Sequence, residues 1–271
     1  MQDVRGFRQH KSMGQNFLVD RNIPEKIVRL SGIDESCGVL EIGPGAGALT
    51  SELCRAAGRV VAVELDRRLI PLLDEKFAKR QNVEITQGDI LKIDIKEFVR
   101  ERMPGLRHQA CANLPYNITT PVITLLIESR VFDTVTLMVQ REVARRICAG
   151  AGSPDYSAFS VYINYHAEPK ILFDVPPECF SPRPKVHSSV VKIVPRGKRF
   201  LDQEKEKVFF GLVRAAFAYR RKTLVNALHS AYASRMGKDG IADIVVQCGF
   251  EAQTRGETLC IEDFIKLADY F

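Results

Sequence analysis

Asn113-Leu114-Pro115-Tyr116 puts an amide oxygen, a backbone carbonyl and an aromatic face within four residues. The set suits the capture of a planar amine. An exocyclic amino group on a nucleobase is a poor nucleophile because its lone pair is delocalised into the ring, so catalysis needs acceptors that pull on its hydrogens. The Asn113 side-chain oxygen and the Leu114 carbonyl can each accept one N–H. Pro115 holds Leu114 in extended backbone, which keeps that carbonyl aimed outward, and Tyr116 can stack on the ring. The same four residues also describe a strand that ends in a proline turn.

A second constellation lies upstream. Residues 39–47, Val-Leu-Glu-Ile-Gly-Pro-Gly-Ala-Gly, read as a buried strand running into a glycine-rich turn whose backbone can approach a ligand closely, at Gly43 and Gly45 above all. About twenty residues on, an apolar β-branched run ends in Glu64, a carboxylate able to accept both hydroxyls of a ribose. The turn also satisfies the relaxed dinucleotide fingerprint. Gly88-Asp89 and Asn113 close two further strands, and this favours S-adenosylmethionine over NAD: Asp89 can bind an adenine amino group and Asn113 can face a sulfonium carbon. Asp89 could equally be a helix N-cap and Glu64 a surface charge.

These residues need a frame that brings strand ends together. From residue 39 short apolar runs alternate with helical stretches, the pattern of a parallel α/β sheet. Strands are predicted at 39–42, 60–64, 83–86, 110–113, 135–139, 171–175 and 190–194. Helices are predicted at 48–57, 67–79, 120–127 and 142–148, with an apolar helix or strand running to residue 165. A sheet that binds ligands at the carboxyl ends of its strands would gather Gly43, Glu64, Asp89 and Asn113 in one crevice. Beyond a basic linker at 196–199 the periodicity is helical at 204–218, 221–233, 241–248 and 261–270.

Composition narrows the class. Of 271 residues, 45% are hydrophobic, and 39 Lys+Arg against 33 Asp+Glu leave a formal charge of +6, which favours a polyanionic partner. Seven cysteines are scattered with no Cys-x-x-Cys pair, so no metal site is expected and the thiols read as reduced, as in the cytosol. No apolar run approaches the ~18 residues of a membrane span. A soluble, cytoplasmic protein is expected.

Residues 11–18 (Lys-Ser-Met-Gly-Gln-Asn-Phe-Leu), the 41–47 turn, Gly88-Asp89, residues 113–116 and residues 180–186 (Phe-Ser-Pro-Arg-Pro-Lys-Val) together resemble the ribosomal RNA adenine N6,N6-dimethyltransferases. The resemblance is closest to the small-subunit (16S) branch known from kasugamycin resistance, and it runs from about residue 9 to the C-terminus. It implies a Rossmann-like, seven-stranded class I S-adenosylmethionine-dependent sheet at 1–197, with a basic arm and cofactor motif at 1–20, and an all-helical RNA-binding domain at 198–271. It further implies that Asn16, Leu18, Gly43, Glu64, Asp89 and Asn113 line the cofactor pocket, and that Phe180 faces Tyr116 across a flipped adenine. One departure is Ala112, where many members carry Gly.

The implied reaction dimethylates N6 of two adjacent adenines in the 3′-terminal hairpin loop of the 16S rRNA, late in small-subunit assembly, with S-adenosylhomocysteine as product. Asn113, Leu114, Tyr116 and Phe180 would carry the chemistry. Lys11, Arg141, Arg145, Arg220, Arg221 and Lys222 are candidate RNA contacts. A monomer without a metal or membrane partner is expected. Two rivals share parts of this pattern: a large-subunit rRNA adenine methyltransferase of the macrolide-resistance type, which usually reads Asn-Ile-Pro-Tyr, and a ribosome-assembly factor whose methylation is secondary.

Overall fold

The computed structural model describes residues 16–197, 200–219 and 221–271. The described residues fall into two compact units, one within 16–144 and 170–195, the other within 145–169 and 196–271. The second differs from the sequence expectation of a helical domain at 198–271, because residues 145–169 cluster with it. Their apolar side chains explain the grouping: Ala149, Tyr156, Val161 and Tyr165 belong to the same buried cluster as Phe209, Leu212, Leu228 and Phe264.

The first unit is built on a seven-stranded sheet. Its strands are β2 (Cys37–Ile42), β3 (Arg59–Glu64), β4 (Val83–Gln87), β5 (Arg107–Asn113), β6 (Thr134–Gln140), β7 (Ala167–Val175) and β9 (Ser188–Pro195), in the spatial order β4-β3-β2-β5-β6-β9-β7. β1 (Phe17–Leu18) and β8 (Phe180–Ser181) form a separate antiparallel pair. The five strands from β4 to β6 run parallel, and β9 returns antiparallel to β6. All six residues of β2 are buried, as expected of a strand covered on both faces. All seven expected strands are present, each longer than expected by one to four residues.

Chain order reverses beside β2. The chain steps outward from β2 to β3 and β4, then returns to the other side of β2 as β5. The carboxyl ends of β2 and β5 therefore flank a topological switch point, where open α/β sheets bind ligands. The helices of this unit are α1 (Asn22–Ser31), α2 (Ala48–Ala56), α3 (Ile70–Phe77), α4 (Ile95–Arg102), α5 (Thr119–Ser129) and the first residues of α6 (Arg141–Cys148). The sequence pattern did not single out α1 or α4. α1 begins without a side-chain cap, and the Ile93-Asp94-Ile95 alternation before α4 reads locally as strand, although Asp94 in fact caps it by accepting from the Glu97 N–H.

The second unit holds the rest of α6, α7 (Ala158–His166), α8 (Gln203–Ala218), α9 (Leu224–Tyr232), α10 (Lys238–Gln247) and α11 (Ile261–Ala268). Its helix starts are well specified. Ser157 and Ser160 form a capping box on α7, Asp202 accepts from the Glu204 and Lys205 N–H groups, and Thr223 accepts from the Asn226 N–H. Among the described residues, no helix is long and apolar enough to cross a membrane.

Candidate cofactor and base-binding site

β2 ends at Ile42 and the chain turns through Gly43, Gly45 and Gly47, with φ of 67°, 58° and 72°. L-residues avoid this region, so the turn needs its glycines. Space adds a second demand at Gly45, where a Cβ would stand 2.9 Å from the Phe17 ring, and at Gly47, where it would stand 2.8 Å from Phe77.

The turn is tied from two sides. The Gly45 N–H donates to Glu64 Oε2 (3.1 Å), and Glu64 Oε1 accepts from the Asp66 N–H (2.9 Å). Lys76 Nζ donates to the carbonyls of Ala46 and Gly47, both at 2.8 Å. No sequence motif announced Lys76, because the contact spans about thirty residues and depends on how α3 packs.

A cavity opens above the sheet at this point. Its lining includes Asn16, Leu18, Gly43, Gly45, Glu64, Asp89, Asn113, Leu114 and Tyr116, together with Phe17, Glu41, Gly88, Ile90 and Pro115. All six residues expected to line a cofactor pocket and the expected Gly45 are thus brought together, with three of the four expected catalytic residues. Asp89 does two things at once. Its Oδ1 accepts from the Leu91 N–H and caps a short turn at Ile90–Lys92, as the capping alternative required, yet it also borders the cavity.

Asn113 sits at the end of β5, beside Met138 of β6. Its Nδ2 donates to the Asn16 carbonyl (3.1 Å), which fixes the amide and leaves Oδ1 as an acceptor with no partner among the described residues. The Leu114 N–H donates to the Met138 carbonyl (3.2 Å), while the Leu114 carbonyl accepts nothing among the described residues. Two adjacent acceptors on one cavity wall are therefore open. Tyr116 is held by a hydrogen bond between its hydroxyl and Ser188 Oγ (2.9 Å), a partner 72 residues away that sequence reading did not find. Burial raises the Tyr116 hydroxyl pKa, so the ring serves as a neutral face.

Phe180, expected to face Tyr116 across a base, is 4% exposed, pairs with Leu18 in the β1–β8 ladder, and is not among the residues that line this cavity. It packs in a core cluster with Phe17, Leu18, Val175 and Cys179. Just before it, Pro177–Cys179 makes a 3₁₀ turn with proline at its start. That turn carries Phe180 into the ladder. In this geometry Phe180 supports the Asn16–Leu18 segment, whose Asn16 carbonyl in turn holds Asn113.

Two carboxyl groups are strongly buried. Burial pushes Glu64 above its usual range, and the N–H groups of Asp66 and Gly45 oppose the shift. Glu41, 1% exposed next to the end of β2, is raised by burial to about 8, with the nearby Glu64 adding to the effect and Lys76 opposing it. Its Oε2 is buried without a hydrogen-bond partner. An unfolded glutamate ionises near its ordinary 4.5, whereas folded Glu41 keeps its proton up to about 8. Between those values folding takes up a proton, so the contribution of Glu41 to stability declines as pH rises, by about 1.4 kcal/mol per pH unit at most. Glu41→Gln removes this titration. Its melting temperature relative to the parent is expected to rise from about pH 5 to about pH 8 and then level off; parallel pH profiles for the two proteins would show that Glu41 does not titrate there.

Of the candidate RNA contacts, Arg141 is half-buried on α6, while Arg145, Arg221 and Lys222 are exposed. Lys11 and Arg220, and most of the expected basic arm at 1–20, lie outside the described residues.

The sheet order with its switch point, the glycine turn after the first long strand and the acidic residue ending the next define a class I S-adenosylmethionine-dependent methyltransferase. Solved structures agree on the fold. A dimethyladenosine transferase from Plasmodium falciparum superposes with a TM-score of 0.76 at 28% identity, covering 93% of this chain and 95% of that one. The 23S rRNA methyltransferase ErmE gives a TM-score of 0.74 at 24% identity, covering 94% and 98%.

The chain belongs to the ribosomal RNA adenine dimethylase family, whose model matches residues 6–267. Among curated relatives, the ribosomal RNA small subunit methyltransferase A of Lachnoclostridium phytofermentans is 45% identical, over 96% of this chain and 90% of that protein. The protein of the same name from Shouchella clausii is 44% identical, over 97% and 90%.

Proposed function

We propose that this protein dimethylates N6 of two adjacent adenines in the 3′-terminal hairpin loop of 16S rRNA, acting on the small ribosomal subunit in the cytoplasm late in assembly. The observation that carries the chemistry is the pair of open acceptors, Asn113 Oδ1 and the Leu114 carbonyl, beside the Tyr116 ring in a cavity floored by a glycine turn. The target is supported by the small-subunit relatives at 40% identity and above.

The residues present fit S-adenosylmethionine. The positive-φ glycines leave backbone open to a ligand: a Cβ at Gly43 would meet nothing within 4 Å, so the space above it is free. Glu64 offers further lone pairs to the ribose, Asp89 to the adenine amino group, and Asn16 and Leu18 close the pocket from the β1 side. When bound, S-adenosylmethionine supplies an electrophilic methyl group on its sulfonium.

The chain's own work is placement. Tyr116 stacks on the target adenine, while Asn113 Oδ1 and the Leu114 carbonyl accept its N6 hydrogens. As N6 is alkylated it becomes positive and its hydrogens more acidic, so both hydrogen bonds strengthen toward the transition state. No strong base is required, because the proton then leaves to water. A monomethylated N6 still carries one hydrogen for either acceptor, which permits a second transfer at the same site. A base reaches this cavity only after leaving its stack, which suits a hairpin loop. Arg141, Arg145, Arg221 and Lys222 are proposed RNA contacts, with Lys11 and Arg220. Phe180 is proposed to face the adenine opposite Tyr116 when a base is bound, as the resemblance implies, while its pairing with Leu18 supports the cofactor segment.

The deciding experiment follows tritiated methyl transfer to purified small and large subunits that lack these modifications. Label in the small subunit, at two methyls per adenine, is expected. Label confined to the large subunit would overturn the reading in favour of the macrolide-resistance type.

A further inference from the structure

The stretch from Val208 to Lys238 contains no Asp or Glu, yet it carries Arg214, Arg220, Arg221, Lys222, Arg235 and Lys238. It forms most of α8, all of α9 and the first residue of α10. Charges just before it are neutralised: Lys205 pairs with Asp269 and Lys207 with Glu204, each at 2.7 Å. Arg214 and Arg235 are exposed and make no ion pair among the described residues. A stretch this rich in cations and free of carboxylates favours a partner of opposite charge, although Glu206 lies near Arg214 on α8.

The face has a local focus. A Cβ at Gly211 would stand 2.7 Å from the Tyr232 hydroxyl oxygen, so the missing side chain lets α9 set that hydroxyl against α8. Arg214 lies three residues beyond Gly211, on the same side of α8. Arg235 follows Tyr232 by three residues, and its backbone N–H donates to the Tyr232 carbonyl (2.9 Å). Burial raises the Tyr232 hydroxyl pKa, and the charges of Arg214 and Arg235 oppose the shift. The half-buried hydroxyl has no hydrogen-bond partner among the described residues. Arg214, one helical turn from Gly211, and Arg235, three residues from Tyr232, thus flank in the chain a hydroxyl donor that has nothing to donate to among the described residues. A phosphate diester, with two charged oxygens, satisfies all three.

We infer that Arg214, Arg235 and the Tyr232 hydroxyl form a cradle on the helical unit for one backbone phosphate of the ribosomal RNA substrate. The inference rests on the proposed function for the choice of RNA as the polyanion. Because the contact is to phosphate, it carries affinity and register, and the choice of adenine stays with the cavity at Asn113.

The test uses the full chain and purified small subunits lacking the adenine methyls, with binding measured across a series of salt concentrations. Arg214→Gln with Arg235→Gln is expected to weaken binding about tenfold per guanidinium at ~0.1 M salt. The slope of log affinity against log salt should become shallower by about one, the value for one phosphate. Cofactor affinity by calorimetry and the melting temperature should stay at parental values, since both side chains are exposed. Tyr232→Phe keeps the ring against Gly211 and removes only the donor, so it should weaken binding a few-fold at unchanged slope. Parental affinity and slope in the double variant would overturn the cradle. So would lost affinity at an unchanged slope, which would mark a protein contact. If the methyl-transfer assay assigns the activity to large subunits, the proposed function fails and the same slope measured on large subunits still decides the cradle.

Discussion

Asn113→Ala is expected to lower methyl transfer by about 10²–10³-fold while leaving S-adenosylmethionine affinity within a few-fold of the parent, the range seen when one preorganised polar group is removed from a transition-state site. The size of the effect follows from orientation. An amide left to rotate would present either its NH₂ or its oxygen to the substrate, but the hydrogen bond from Nδ2 to the Asn16 carbonyl commits the oxygen to the cavity. That oxygen is therefore in place before N6 begins to acquire charge, and no reorganisation is needed at the moment of reaction. The alanine variant loses this acceptor and the bond to the Asn16 carbonyl but keeps the glycine turn, Glu64 and Asp89, so the main cofactor contacts remain. Single-turnover rates with saturating cofactor, beside calorimetric binding, separate the two quantities. Near-parental rates would remove Asn113 from the chemistry.

Glu64→Ala should do the reverse, weakening S-adenosylmethionine binding by about a hundredfold or more. The carboxylate has two duties that share one pair of oxygens. In the structure it accepts from the Gly45 and Asp66 N–H groups and so sets the turn; with ligand it would also accept from the ribose hydroxyls, since an ionised carboxylate has about four acceptor positions. Each hydrogen bond to a charged group is worth about 1.5–3 kcal/mol, so losing even one accounts for a tenfold change. Glu64→Gln keeps an acceptor and should fall between parent and alanine. Calorimetric titration of the three proteins with S-adenosylmethionine gives the order, and equal affinities would show that Glu64 only braces the turn.

The two variants act on opposite sides of one switch point, and this is why the sequence exposed both residues. Glu64 and Asn113 each end a run of β-branched and apolar residues, and a parallel sheet places such ends on one edge. Gly43, Gly45 and Gly47 could be read the same way, because a positive φ leaves a glycine in the sequence. Asp89 shows where linear reading stops discriminating. Cap and ligand contact ask for the same residue type at the same place, and here one side chain satisfies the cap while bordering the cavity.

Phe180 and Lys76 show what local pattern does not encode. A phenylalanine between prolines reads equally as a presented ring or a buried one, and the difference lies in whether β1 pairs over it. Lys76 looks like any helical lysine until α3 packs and brings its Nζ to the carbonyls of Ala46 and Gly47. Tyr116 was legible as an aromatic face, whereas its anchor Ser188 comes from the far strand β9.

By itself the sequence determined the sheet, the glycine turn, the residues that end each strand and the acceptor motif, because backbone conformation and hydrophobic period act over a few neighbours and leave their mark there. Tertiary structure alone decided which way the Asn113 amide faces, that Phe180 is buried, that residues 145–169 join the helical unit, and that Tyr232 meets Gly211. Those outcomes depend on pairings between residues far apart in the chain, and the packing that selects them exists only once the elements have met.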